Sequence, residues 1–198
     1  MLRPNFAMDA PPTSIEIGGF AYPIAVDYRV WLEVIGLMKD IIPEASAQVH
    51  QEHNIRTFGR IEELVFGGAL VDEDPNEVLE AIAKFTGGYP CAPIQPSGDP
   101  PSFSFDYDLN EIIIAIRNQS GIDLSYRRTE PFHWWEFLLE FRTLCGDHYI
   151  TNLMDARSYK GTDKDMLKRK RMCALPAEHS AADQALLDEI NAEFSGAV

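Results

Sequence analysis

The stretch PFHWWEFLLEF, residues 131–141, decides the fold, because it holds two tryptophans, three phenylalanines and two leucines in eleven residues. At helical spacing, the apolar side chains form one stripe. The stripe consists of Trp134, Phe137, Leu138, Phe141 and Cys145, and is widened by Trp135 and Leu139. The opposite side consists of His133, Glu136, Glu140 and Thr143. This separation predicts a central core helix, beginning near Pro131, whose histidine and glutamates face solvent.

An alternative interpretation is that part of this apolar stripe lines a groove that binds a partner. A buried aromatic ring contributes roughly 150–250 Å² of contact surface, which favours packing against neighbouring helices. The stripe is nevertheless too wide for one neighbouring helix to cover. We therefore predict a chiefly structural helix and keep Trp134, Trp135 and Leu138 as candidate partner-binding residues.

The composition limits the class of protein. The chain has 198 residues, of which 45% are hydrophobic and 24% are charged, as is typical of one globular domain. Its net charge of −14 repels phosphate backbones, so nucleic acid is not expected as a general partner. No apolar run approaches the roughly 20 residues that span a bilayer, so no membrane association is expected. Three scattered cysteines, Cys91, Cys145 and Cys173, fit reduced thiols in a cytoplasm.

One basic run opposes the acidic balance. DKDMLKRKRM, residues 163–172, carries five basic and two acidic residues, which gives +3 locally and leaves −17 on the rest of the chain. We interpret this run as a solvated helix face. The alternative is a docking patch for RNA or for a protein partner.

Glycine and proline positions predict the fold class. Gly18-Gly19, within residues 14–24, predicts a two-residue β-hairpin. Helical patterns cover residues 26–42, 44–70, 74–85, 108–121, 131–145, 146–159, 162–172 and 180–194. Strands and helices do not alternate, so the fold class is predicted as mainly α, a multi-helix globular bundle with a short N-terminal β-hairpin.

The same positions predict the domain organisation. Residues 1–13 are expected to form a flexible leader, residues 14–172 a single helical domain, and residues 173–198 a C-terminal arm with an amphipathic helix. Five prolines and three glycines predict a loop over residues 87–103. The apolar side of the arm consists of Leu186, Leu187, Ile190 and Phe194, which are further candidate partner-binding residues. Two alternatives stay equal. This side docks a partner or another copy of the chain, or it packs onto the core.

Aspartates mark several predicted helix starts. Asp27, Asp74 and Asp108 are predicted N-caps, and Glu111 stands three residues after Asp108 at capping-box spacing. Asp106, in the same acidic segment, is predicted to face solvent.

A search for catalytic patterns identifies no active site. His50 and His53 are three residues apart, and nothing else in the sequence completes a metal site around them, so we expect surface histidines. The nucleophile-elbow, phosphate-loop and dinucleotide-binding motifs do not occur. We therefore expect a protein that is not an enzyme and that needs no metal or cofactor. A metal enzyme built around His50, His53 and His133 is the competing hypothesis.

An ordered set of motifs resembles a known family. The motifs are EIGGFAYPIAVDYR (16–29), FSFDYDLNEIIIAIRNQSGIDL (103–124), FHWWEFLLEFRTL (132–144) and ITNLMDARSY (150–159), followed by the basic helix. In this order they resemble the bacteriophage gene-product-fifteen family of tailed phages and prophages, over most of residues 14–172. The family's usual leucine before HWW is Phe132 here.

The resemblance implies a role in tail assembly. Members of this family are typically encoded just before the tail tape-measure gene, where tail assembly chaperones usually lie. The resemblance therefore implies a non-enzymatic chaperone in the host bacterial cytoplasm, with the tape-measure protein and the tail-tube protein as partners and with possible self-association. A structural tail or connector protein retained in the virion is the alternative.

Overall fold

The computed structural model of the protein describes residues 9–42, 48–68, 73–89 and 100–176. Within these residues the elements, in chain order, are β1 (Ser14–Ile17), β2 (Phe20–Pro23), α1 (Tyr28–Lys39), α2 (Gln48–Phe66), α3 (Pro75–Thr86), α4 (Phe105–Ser120), α5 (Trp134–Arg142), α6 (Tyr149–Ser158) and α7 (Lys164–Met172). The predicted fold class, mainly α with a short N-terminal hairpin, is confirmed.

The described chain divides into two compact units. The hairpin unit comprises the described residues of 12–86 and contains β1, β2 and α1–α3. The α4–α7 unit comprises residues 9–11 and the described residues of 87–176. Residues 14–172 are predicted to form one domain, which means that the two units should unfold together. This stays a prediction.

The hairpin turns at two glycines, as predicted. β1 pairs antiparallel with β2, with Ile15 opposite Tyr22 and Ile17 opposite Phe20. Gly18 and Gly19 both have positive φ, at 57° and 86°, which glycine adopts without steric cost. Ile15 and Ile17 share one face of β1 and are buried, so alternate residues of the strand carry the packing.

Trp31 is central to the hairpin unit. Its side chain is fully buried, and its ring centroid lies 4.3 Å from that of Phe85 on α3. The indole Nε1 donates to the Ala25 carbonyl oxygen at 2.7 Å, so the polar edge of the ring is satisfied within the core. Asp27 caps α1 as predicted, accepting from the Arg29 backbone amide at 2.9 Å.

A cluster of five aromatic rings forms the core of the α4–α7 unit. The Phe105 ring centroid lies 5.9 Å from that of Trp134 and 6.0 Å from those of Phe137 and Phe141. Phe103 adds an edge contact with Phe141 at 4.8 Å. The core helix predicted over residues 131–145 is therefore confirmed over Trp134–Arg142.

The start and the end of α5 correct the sequence interpretation. α5 begins at Trp134 rather than near Pro131. His133, predicted to face solvent, is buried as the N-cap, and its Nδ1 accepts from the Trp135 backbone amide at 3.0 Å. Cys145, predicted on the apolar stripe, lies beyond the end of α5 and is exposed. Thr143 is the C-cap of α5, and its hydroxyl donates to the Leu139 carbonyl oxygen at 3.0 Å.

Several predicted segments lie partly or wholly outside the described residues. They are most of the leader 1–13, most of the proline-rich loop 87–103, and the arm beyond residue 176, including Leu186, Leu187, Ile190 and Phe194. The basic run forms α7, which has no buried residue, in agreement with the predicted solvated face.

Candidate partner-binding site

α5 places its three candidate partner-binding residues differently. Trp134 and Leu138 are only 1% and 7% exposed, so both are part of the core. Trp135 is partly exposed, and its ring centroid lies 4.9 Å from that of Tyr89 in an edge contact. Of these three side chains, Trp135 therefore offers the most surface to another molecule. Contact of any of them with a partner stays a prediction.

A buried ion pair joins α4 to α6. Arg157 Nη1 lies 2.6 Å from Asp108 Oδ2, and Arg157 Nη2 lies 3.1 Å from Asp108 Oδ1, a bidentate arrangement. The two side chains are only 10% and 5% exposed. Because a charge buried this deeply needs a partner, the pair fixes the relative positions of the two helices.

Arg157 also holds backbone segments on either side of these helices. Its Nη1 donates to the Ser102 carbonyl oxygen at 3.0 Å, and its Nε donates to the Cys173 carbonyl oxygen at 2.6 Å. Asp108 Oδ2 accepts from the Ser104 backbone amide at 2.9 Å. One guanidinium and one carboxylate therefore anchor residues 102–104, the first turn of α4, the end of α6 and the residue that follows α7.

The role of Asp108 corrects the predicted start of α4. The helix begins at Phe105, and the N-cap is Ser104, whose hydroxyl oxygen accepts from the Asp106 backbone amide at 3.3 Å. Asp108, predicted to be the N-cap, lies inside the first turn and turns toward Arg157, so the predicted capping box with Glu111 does not form. Asp106 is exposed, as predicted.

The outer face of α4 exposes two large apolar side chains. Tyr107 is 54% exposed and Ile114 is 48% exposed. Residues seven apart lie on the same side of a helix, so this α4 face, defined by Tyr107 and Ile114, is one continuous side. The positions between them on this side, Asn110 and Glu111, are polar, so the face offers a partner two separate apolar contacts.

Burial and two carboxylates perturb the tyrosine beside α5. Desolvation raises the pKa of Tyr89, and the negative charges of Glu136 and Asp9 raise it further. Both effects favour the neutral phenol, whose ring lies beside that of Trp135.

The histidines predicted at the surface lie on α2. Both His50 and His53 are partly exposed, and His53 Nε2 lies 2.9 Å from the Asp40 carbonyl oxygen. Across residues 9–42, 48–68, 73–89 and 100–176, no group of three or more His, Cys, Asp or Glu side chains is placed to hold a metal ion. None of the helices that the structure describes is both long enough and apolar enough to cross a membrane.

Comparison with known proteins identifies the family. Searches of curated proteins and of solved structures found no match to this chain. A sequence family matches residues 68–178, which is more than half of the chain. The matched stretch contains the acidic-aromatic segment, the HWW helix, Arg157 and the basic helix. The hairpin motif at residues 16–29, which contributed to the resemblance, lies outside it. By this match, the chain belongs to the family described as Bacteriophage Gp15 protein.

Proposed function

We propose that this protein is a non-enzymatic chaperone of phage tail assembly, acting in the host bacterial cytoplasm on the tape-measure protein and the tail-tube protein. The observation that carries the proposal is the family match over residues 68–178. The gene position typical of the family, next to the tape-measure gene, directs the proposal to tail assembly.

The α4 face supports binding of a helical partner. Tyr107 and Ile114 present apolar area on a helix whose opposite side is fixed in the core through Ile112, Ala115 and Ile116. A rigid helix loses little conformational freedom on binding, so its exposed side chains are suited to dock an amphipathic segment. Tape-measure proteins are expected to be long and helical, and would supply such segments.

The net charge supports a chaperone that is needed in many copies. A charge of −14 on 198 residues makes copies repel one another. A protein that coats a long partner must stay dispersed until it meets that partner. Strong like charge favours that behaviour.

Co-expression with a tape-measure fragment tests the proposal. We expect the fragment to co-purify with this protein, and we expect a variant carrying both Tyr107→Ser and Ile114→Ser to lose most of the captured fragment while keeping its thermal stability. The matched control is Val49→Ser with Ile55→Ser, which removes two exposed apolar side chains from α2. Equal capture by all three proteins would show that the α4 face is not the docking surface.

The composition of finished virions separates the chaperone from its alternative. A chaperone is absent from purified particles, whereas a structural tail or connector protein is present in fixed ratio to the other tail proteins. Quantitative mass spectrometry of particles measures that ratio. A stoichiometric amount in the virion would replace the proposed function with the structural role.

A further inference from the structure

A pocket of about 330 Å³ opens beside the buried ion pair. One wall comes from Pro100, Pro101 and Phe103, in the segment before α4. The other wall comes from Arg157, Lys160 and Lys170, at the end of α6 and on α7. The pocket therefore combines an apolar wall with a basic one, and all of its walls belong to the α4–α7 unit.

Two lysines add positive charge to the wall that Arg157 forms. The Arg157 guanidinium is compensated by Asp108, which it contacts at 2.6 Å. Lys170 Nζ donates to the Tyr159 carbonyl oxygen at 2.8 Å, which uses one of its three hydrogens and holds the ammonium group in place. Lys160 also lines the pocket and is exposed. The basic run to which Lys170 belongs adds to this positive region, in contrast to the charge of −17 on the rest of the chain.

The apolar wall has a fixed shape. The Phe103 ring makes edge contacts with Phe105 at 5.2 Å and with Phe141 at 4.8 Å. It is therefore held by the core cluster instead of standing free as a platform on which a nucleic-acid base could stack. Beside it, two prolines present rigid apolar surface to anything that enters.

We propose that this pocket binds an acidic peptide segment of a protein partner. An Asp or Glu carboxylate of the segment would accept from Lys160 and Lys170, while a neighbouring apolar side chain of the segment would pack against Pro100 and Pro101. The inference names the chemistry of a partner segment and in that respect rests on the proposed function. Charge complementarity selects the occupant, because a short acidic peptide needs only this local positive region.

The negative charge on the rest of the molecule disfavours nucleic acid as the occupant of the pocket. A nucleic acid extends many phosphates beyond the pocket, where a net charge of −17 repels them. An acidic peptide carries a few charges on a narrow chain, and its apolar side chains gain from the proline wall. Repulsion beyond roughly 8 Å is also screened at physiological salt, which leaves the local attraction dominant for a small ligand.

Fluorescence anisotropy with a labelled peptide tests this inference. The probe is a peptide that repeats Glu-Glu-Leu, the matched probe is the same peptide with Gln in place of Glu, and a third probe is single-stranded DNA. We expect the Glu peptide to bind, the Gln peptide and the DNA not to bind, and the affinity for the Glu peptide to fall as salt rises. We expect Lys160→Glu to weaken binding by about fivefold or more.

A second variant separates the pocket from general electrostatic attraction. Lys164→Glu makes the same charge change on an exposed α7 residue that does not line the pocket, so we expect it to weaken binding much less than Lys160→Glu does. Circular dichroism of both variants verifies that they are folded. Equal weakening by the two variants, tighter binding of DNA, or no binding of the Glu peptide would each overturn the inference. Because tape-measure capture is measured separately and through the α4 face, its failure and the failure of the peptide assay are distinguishable.

Discussion

At the scale of single residues, the Asp108–Arg157 pair shows how two polar side chains hold a mainly apolar unit together. Of the four nitrogen–oxygen contacts of Arg157, two join α6 to Asp108 on α4 and two join it to the backbone at Ser102 and Cys173. Burial makes this arrangement sensitive to loss of either partner, since a lone buried charge has neither water nor a counter-ion.

Asp108→Asn is expected to lower the free energy of unfolding by about 3–5 kcal/mol, because it leaves the Arg157 charge buried without a carboxylate. Urea denaturation followed by circular dichroism measures the loss. The control Asp106→Asn, which changes an exposed carboxylate in the same turn, should alter stability by no more than about 0.5 kcal/mol. Replacing both partners, as Asp108→Leu with Arg157→Met, should recover only part of the loss, because the Ser102 and Cys173 carbonyl oxygens and the Ser104 amide also lose these partners. Unchanged stability of Asp108→Asn would show that the pair does not hold the unit.

A second residue-scale prediction concerns pH. Burial raises the pKa of Glu62 above its ordinary value of 4.5, so the folded protein holds this proton more tightly than the unfolded chain does. The ionised carboxylate therefore opposes folding at neutral pH, and this penalty disappears as the pH falls below 4.5. We expect Glu62→Gln to raise the melting temperature at pH 7 and to have no such advantage in acid.

Thermal unfolding of this variant at several pH values measures the effect. Glu52→Gln is the matched control, because it removes an exposed carboxylate from the same helix. If the melting temperatures of the two variants rose equally at pH 7, the increase would come from the reduced net charge instead of from relief of burial.

At the scale of elements, the helices differ in how far local sequence predicts them. α3 begins as predicted, with Asp74 accepting from the Asn76 amide at 2.8 Å and with Pro75 in the first turn, because capping is a short-range interaction. The core stripe of α5 was also predictable, since the 3.6-residue period records which side is buried.

The start of α5 and the partner of Asp108 were not predictable from local pattern. With a helix predicted to begin near Pro131, His133 falls on the polar side with the glutamates, and histidine is not among the usual N-cap residues that would mark a later start. Asp108 and Arg157 are 49 positions apart, and no periodicity relates them. The available signal was the pairing of an acidic-aromatic segment with a later arginine in the family motifs.

The buried position of α5 leads to a prediction about its tryptophans. Trp134→Ala is expected to cost about 3–5 kcal/mol of stability, because it removes a ring from the centre of the aromatic cluster. Trp135→Ala should cost less, since that ring is partly exposed. Chemical denaturation of both variants measures the difference. A Trp134→Ala protein of full stability that no longer binds a partner would assign this residue to a binding surface.

At the scale of the whole molecule, the two units lead to a prediction about cooperativity. If residues 14–172 are one domain, as the sequence predicts, the slowest-exchanging amides of α1 and of α5 open with the same free energy. Hydrogen exchange followed by mass spectrometry measures both values in one experiment. A difference well above about 1 kcal/mol would show two independently unfolding domains.

Residue patterns in the sequence predict the fold more directly than they predict the molecular role. Composition, capping and periodicity predict helices and a core, but no side-chain pattern in the chain specifies a tail protein. The order of motifs indicated the phage family, which the match over residues 68–178 shows, whereas the role in tail assembly stays a proposal. The basic pocket was not identified either, because it forms where residues near position 100 meet residues near positions 160 and 170.

The carbonyl groups bound by Arg157 have one further consequence. The carbonyl oxygens of Ser102 and Cys173 accept from the same guanidinium, so the two ends of the stretch between them lie close together. A segment with adjacent ends can be grafted into a surface loop of an unrelated host protein without stretching that loop. The adjacent ends of residues 102–173 meet this geometric condition for grafting and for circular permutation.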